Sequence, residues 1–198
     1  MAKVHGCKLM GHIQITAGRL RGRKIVTPQG KQTRPTSIRS RQSLFDVIDA
    51  RWPELLRARH FVDCYAGSGA VGFEAYSRGA SRLSFLEHDN AACRIIACNQ
   101  KNLRLLDDAM CLHGDVLTLL PRVLCDETIG IVFADPPYRE DCARSLLEIW
   151  AGTSIDHNQL FILQIPPVAS TDVVYERVSK THEHRVGQAL FCIYKHKR

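Results

Sequence analysis

The spacing of apolar positions changes period along the chain and divides it into elements. Residues 13–27 contain two β-prone runs around a bend with Gly18 and Gly22, the pattern of a β-hairpin. Residues 28–35 read as a loop. Beyond it, Ile38, Leu44, Phe45 and Ile48 share one helical face, with Thr36 or Ser37 as a cap and Pro53 as a limit. From His60 onward the period alternates between two and 3.6. Strands are expected over 60–64, 82–87, 109–113, 129–134 and 159–165, and helices over 70–78, 90–103, 116–124 and 141–150. Such alternation predicts an α/β fold, a mostly parallel sheet with helices on both faces. Two further β-type runs, 173–180 and 188–196, have a bend at Gly187 before the second and no long helix between them. They are expected to close the sheet as an antiparallel pair. The first twelve residues show no period.

Composition bounds this picture without changing it. A chain of 198 residues with 45% hydrophobic content can bury one ordinary core. Neither a signal peptide nor a membrane-spanning run is expected, which points to the cytoplasm. The eight cysteines form no Cys-x-x-Cys pair and read as buried reduced thiols. The nine histidines are scattered, His182 and His184 being the one close pair, so no metal site is expected. That pair reads as two exposed residues on one side of a strand.

Charge adds a partner. Residues 1–59 hold 13 Lys and Arg against three acids, a net of +10, while the remainder holds 14 against 17, a net of −3. A basic arm on a near-neutral body suits a polyanion, most simply nucleic acid. The hairpin would display Arg19, Arg21, Arg23 and Lys24, the loop Arg34, and the polar face of the first helix Arg39 and Arg41.

The candidate chemistry lies at strand ends, where open parallel sheets bind ligands. Asp63 ends the first body strand, and Gly67, Gly69 and Gly72 follow. These glycines fit a dinucleotide loop as well as an adenosyl one. Glu87, 20 positions beyond Gly67, can accept from ribose hydroxyls in either case. Asp63 favours the second reading, because a carboxylate there would repel a pyrophosphate and attract the ammonium of S-adenosylmethionine; its plainer role is a cap of the loop. Asp115 can accept from an adenine amine while Val116 packs on the ring, or Asp115 can cap the next helix. The fourth strand runs into Asp135-Pro136-Pro137-Tyr138. Prolines stiffen that turn, so Asp135 and the Pro136 carbonyl can receive the two N–H donors of an exocyclic amine, and Tyr138 can stack on its base.

Ala17 to Lys24, Arg34-Pro35-Thr36, Leu44-Phe45, Asp63 to Ala75, Ser77 to Ala80 and the Asp135 turn together resemble the small-subunit ribosomal RNA (guanine-N2)-methyltransferase family, RsmD, within the class I methyltransferases. The resemblance covers the chain from about residue 13. It implies a bacterial enzyme, expected as a monomer, that moves a methyl group from S-adenosylmethionine to N2 of a guanine in 16S rRNA or the small ribosomal subunit. It implies a Rossmann-like sheet of seven strands with an N-terminal hairpin extension, divided as residues 1–35 and 36–198. Asp63, Ala66, Gly67, Gly69, Glu87, His88, Asp115 and Val116 would hold cofactor, and Asp135 to Tyr138 the amine. Gln42, Asp46 and Gln164 depart from the family's usual residues. Alternatives are transfer to DNA adenine or cytosine or to protein glutamine, and a non-catalytic nucleotide-binding module.

Overall fold

The computed structural model describes residues 10–28, 37–137, 140–153, 158–167 and 177–197. Strands β1 (Met10–Gln14) and β2 (Lys24–Pro28) pair antiparallel, His12 facing Val26, as the expected hairpin. Helix α1 (Ile38–Arg51) starts at Ser37, whose side chain accepts from the Ser40 N–H at 3.0 Å. Pro53 not only limits α1 but opens a short helix that the sequence reading passed over, α2 (Pro53–Leu56), since proline lacks only an N–H that a first helical turn leaves unpaired.

The body then alternates: β3 (His60–Cys64), α3 (Ala70–Ser77), β4 (Arg82–Glu87), α4 (Asn90–Leu103), β5 (Ala109–His113), α5 (Val116–Val123), β6 (Ile129–Ala134), α6 (Glu140–Gly152), β7 (Leu160–Ile165), β8 (Val178–Val186) and β9 (Ala189–His196). Seven strands form one sheet in the order β5-β4-β3-β6-β7-β9-β8. Neighbours from β5 through β7 are parallel, and β9 pairs antiparallel with both β7 and β8. The strand expected over 173–180 is Val178–Val186; its first positions lie outside the described residues.

The central strands are buried on both faces because successive side chains serve different layers. Phe61, Ile131 and Phe133 join the hairpin's Ile15 and Ile25, Phe45 of α1, Phe73 of α3 and Ile96 of α4 in one core cluster. Val62, Val132 and Ala134 join Val116 and Leu120 of α5 and Trp150 of α6 in the other. No helix among the described residues is long and apolar enough to cross a membrane.

Two surface expectations need correction. His182 and His184 are half-buried rather than exposed: the His184 ring nitrogen lies 2.7 Å from Ser43 Oγ, and His182 meets the Trp52 ring edge-on. Helix α1 covers this part of β8. Of the seven described cysteines, all free, Cys64 and Cys192 are buried, whereas Cys98 and Cys125 are exposed because they sit on the outer face of α4 and just past α5.

Candidate active site

The site grows from the turn between β3 and α3. Tyr65 (φ +59°), Gly67 (φ +56°) and Gly69 (φ +77°) all take left-handed backbone, which reverses the chain within a few residues. Gly72 meets a second demand. A Cβ there would stand 2.4 Å from the Phe85 ring, so only glycine lets α3 pass this close to β4. Its N–H donates to Asp63 Oδ2 at 2.9 Å, which gives Asp63 the capping role as well as a place in the site.

Glu87, at the end of β4, supports the loop from the other side. Its two oxygens accept from the Gly67 and Asp89 N–H groups, each at 2.8 Å, and the His88 ring lies 3.1 Å away. Four amides of this turn are engaged: Gly67 with Glu87, Gly69 with Ala66 O, Gly72 with Asp63 and Phe73 with Gly69 O.

Above the carboxyl ends of β3, β4 and β6 lies a cavity of about 340 Å³, within the size range of small-molecule sites. Four carboxylic residues line it, Asp63, Glu87, Asp89 and Asp135, against His88. Asp63 is 2% exposed, and burial pushes its carboxyl well above the usual range, aided by Asp135 and Glu87 nearby. Burial pushes Asp135 up to about 7. A cavity lined by four acids repels a pyrophosphate. A cationic ligand rich in hydroxyl groups fits it, because a positive charge relieves the crowded carboxyls and hydroxyls can donate to them.

Of the residues expected to hold cofactor, Asp63, Ala66, Gly67, Glu87 and His88 line the cavity, as do Asp135 and Pro137 of the turn. Gly69 is buried beside Phe73, Asp115 caps α5 by accepting from the Thr118 N–H at 3.0 Å, and Val116 lies in the core beneath; none of the three is in the cavity wall. Pro136 is buried. Tyr138 and Arg34 lie outside the described residues. Sequence reasoning missed Tyr65, Phe133 and the α4 residues Ala91, Ala92 and Ile95, and it missed that Thr27 and Pro28 of the hairpin form one wall. The α4 positions carried a signal, because they occupy the first turns of the helix opened by Asp89. The hairpin wall had none.

The basic residues separate into three groups. Arg21 and Lys24 are exposed and Arg39 projects from α1. Arg19 and Arg23 are exposed but tethered: the Arg19 guanidinium lies 3.7 Å from the Tyr76 ring centroid, and Arg23 Nη2 donates to Asn102 O at 2.8 Å. Arg41 corrects the expectation of a polar-face residue, for it is 1% exposed. Its Nε donates to Glu74 Oε2 at 3.2 Å and its Nη2 to Gln14 O at 2.6 Å. Glu74, wholly buried on α3, also accepts from Thr16 and Ala17 of the hairpin and from Arg78 Nε at 3.1 Å, and these partners hold its carboxyl below the usual range although burial alone would raise it. A lone acid in the apolar run 70–77 was the available sign of a buried partner.

A parallel sheet reversed at β3/β6, closed by an antiparallel β9 and carrying a glycine loop between acid-ended strands, has the class I methyltransferase fold. The chain belongs to the family described as "Conserved hypothetical protein 95", whose model matches residues 13–195. This is the kinship expected from the motifs. It is 36% identical over 138 residues to "Ribosomal RNA small subunit methyltransferase D" of Escherichia coli, covering 70% of this chain and 64% of that protein. It is 29% identical over 150 residues to the Haemophilus influenzae protein of the same name, covering 75% and 76%. The solved structure of Escherichia coli yhhF superposes with a TM-score of 0.78 at 25% identity, covering 95% of this chain and 99% of that one. The chain thus spans just under two thirds of the length of the Escherichia coli relative matched by sequence.

Proposed function

We propose that this protein transfers a methyl group from S-adenosylmethionine to the exocyclic N2 of a guanine in 16S rRNA, as a bacterial cytoplasmic enzyme acting as a monomer on the RNA or on the small ribosomal subunit. The observation that carries this reading is Asp135: a carboxylic residue with its pKa raised to about 7, at the edge of an acid-lined cavity, fixed by two prolines. The names of the relatives supply the RNA, and the basic hairpin supports it.

S-adenosylmethionine, when bound, supplies a methyl group on a positively charged sulfur. Asp63 offers a buried carboxylate to the ammonium, and Glu87, whose bonds to Gly67 and Asp89 fix its orientation, keeps lone pairs for ribose hydroxyls. Asp135 and the Pro136 carbonyl accept the two N–H groups of the guanine amine and turn its lone pair toward the cavity. Orientation of this kind, rather than a strong base, lowers the barrier. The proton that leaves nitrogen passes to an Asp135 oxygen, whose raised pKa suits it for that step. Arg19, Arg21, Arg23, Lys24 and Arg39 meet RNA phosphates; Arg34 and Tyr138 keep their roles in binding phosphate and stacking on the base.

The test incubates the protein with labelled S-adenosylmethionine and, separately, unmethylated small subunits, naked 16S rRNA and DNA. Label in N2-methylguanine of the rRNA is expected in one of the first two. Label in DNA alone, or in protein, overturns the substrate. Asp135→Ala is expected to lower transfer by at least about a hundredfold with cofactor affinity near normal, and loss of cofactor binding instead would show that the residue holds cofactor rather than amine.

A further inference from the structure

Asn99 lies on α4 one turn beyond Ile95 of the cavity wall, and it is wholly buried. Its amide touches three backbone groups. Oδ1 accepts from the Val26 N–H at 2.8 Å, while Nδ2 donates to Val26 O at 2.9 Å and to Ser68 O at 3.1 Å. The first two bonds pair the side chain with β2 as a neighbouring strand would. The third reaches the glycine loop. Burying an amide is costly unless its donors and acceptor are matched, and here both donors and the oxygen are used.

The position of those partners gives the clamp its meaning. Thr27 and Pro28 directly follow Val26 and form one wall of the cavity, and Ser68 forms part of another. At its other end β2 begins with Lys24 in the basic turn, roughly 13 Å away at the usual strand rise. Arg23 beside it is bonded to Asn102 O, at the end of the same helix α4. Basic turn, strand and cavity wall are therefore fixed to one helix.

We infer that Asn99 is a positioning residue for the cofactor cavity: it sets the spacing between hairpin and glycine loop, so that RNA held by the basic turn and cofactor held in the cavity strengthen each other's binding. The inference rests on the cofactor and RNA roles proposed above. Such coupling is reciprocal by necessity.

The probe is S-adenosylhomocysteine, titrated calorimetrically into the wild-type protein and Asn99→Ala, with and without 16S rRNA. Loss of the clamp is expected to weaken the probe about tenfold, as befits the removal of one or two hydrogen bonds, and to raise KM for S-adenosylmethionine by a similar factor with kcat within about twofold. RNA is expected to tighten the probe on the wild type, and that gain is expected to vanish in Asn99→Ala. In the wild type alone, hydrogen exchange at the Val26 amide should slow when the probe is added, a measurement that does not depend on how the variant folds. Wild-type probe binding with an unchanged Val26 amide overturns the inference, as does an unaltered affinity or RNA gain in Asn99→Ala. A wild type that does not bind the probe overturns the cofactor reading itself, and this inference with it.

Discussion

Asp135 and Arg41 mark the two ways a charged residue can be misjudged from sequence. Asp135 was recognisable because its neighbours are unusual: an apolar strand, an acid and two prolines leave few structural uses for a carboxylate. Its altered chemistry was not recognisable, since the shift to about 7 comes from burial by residues distant in sequence. That shift has consequences of definite sign. The working form accepts hydrogen bonds, so kcat/KM should fall as pH drops below about 7, following a single ionisation, and a flat profile from pH 5 to 8 would remove Asp135 from the chemistry. For stability the sign is opposite. An acid whose folded pKa lies above its unfolded value binds more protons when folded, so it lowers stability as pH rises from about 4 to about 7. Asp135→Asn should therefore melt several degrees above the cofactor-free wild type at pH 8, with the gap closing near pH 4, while transfer is lost. Thermal melts across that range check this. Arg41, in contrast, sits in a sequence of exposed-type residues, and Glu74 together with the Gln14 carbonyl draws it inside.

At the scale of elements, the hairpin was legible as a hairpin, but its attachment was not. Besides the Asn99 clamp on β2, two devices dock it against α3. Gly18 lies so close to the end of α3 that a Cβ would stand 1.9 Å from Ser77 O, and the Arg19 N–H donates to that same oxygen at 2.8 Å. Glu74 gathers Thr16, Ala17, Arg41 and Arg78, and Arg78 in turn holds Asp46 and Asp49 of α1 at 3.0 and 2.9 Å. Removing one partner of such a buried pair leaves the other unpaired, which costs about 3 to 5 kcal/mol. Glu74→Ala should lose stability on that scale in urea unfolding and expose the hairpin to limited proteolysis near residues 17–23. A loss below about 1 kcal/mol would mean that apolar packing and the bonds to Asn99 and Ser77 hold the hairpin without Glu74. Because these partners keep the Glu74 carboxyl below its ordinary value of 4.5, its contribution is present at neutral pH and is lost only as pH falls below that value through the lowered folded pKa.

Across the whole molecule, charge and chemistry occupy opposite ends. The basic turn is anchored at Ser77, Ala80 and Asn102, at the amino ends of the parallel strands, whereas Asp135 follows β6 at their carboxyl ends. An RNA that touches both must extend along the protein's side. Reversing Arg19, Arg21 and Arg23 to Glu should lower the slope of log affinity against log salt by at least about two units, at roughly 0.7 to 0.9 for each phosphate that is no longer neutralised. Arg41→Gln should leave that slope alone and reduce thermal stability instead. An unchanged slope in the triple variant would remove the turn from the RNA interface.

The sequence by itself determined the order of elements apart from α2, the sheet's mixed end and the acids at strand termini, because apolar period, glycine and proline act within a few residues of where they stand. It also determined the family, through motifs whose spacing is local. Only the tertiary structure decided which arginines remain in solvent, that Thr27 and Pro28 wall the cavity, and that Gly69, Asp115 and Val116 are not part of its wall. Those outcomes depend on pairings between residues far apart in the chain, such as Arg41 with Glu74, 33 positions on, and Val26 with Asn99, 73 positions on. Burial, and with it the pKa of each carboxyl, is a property of such pairings rather than of any stretch of chain.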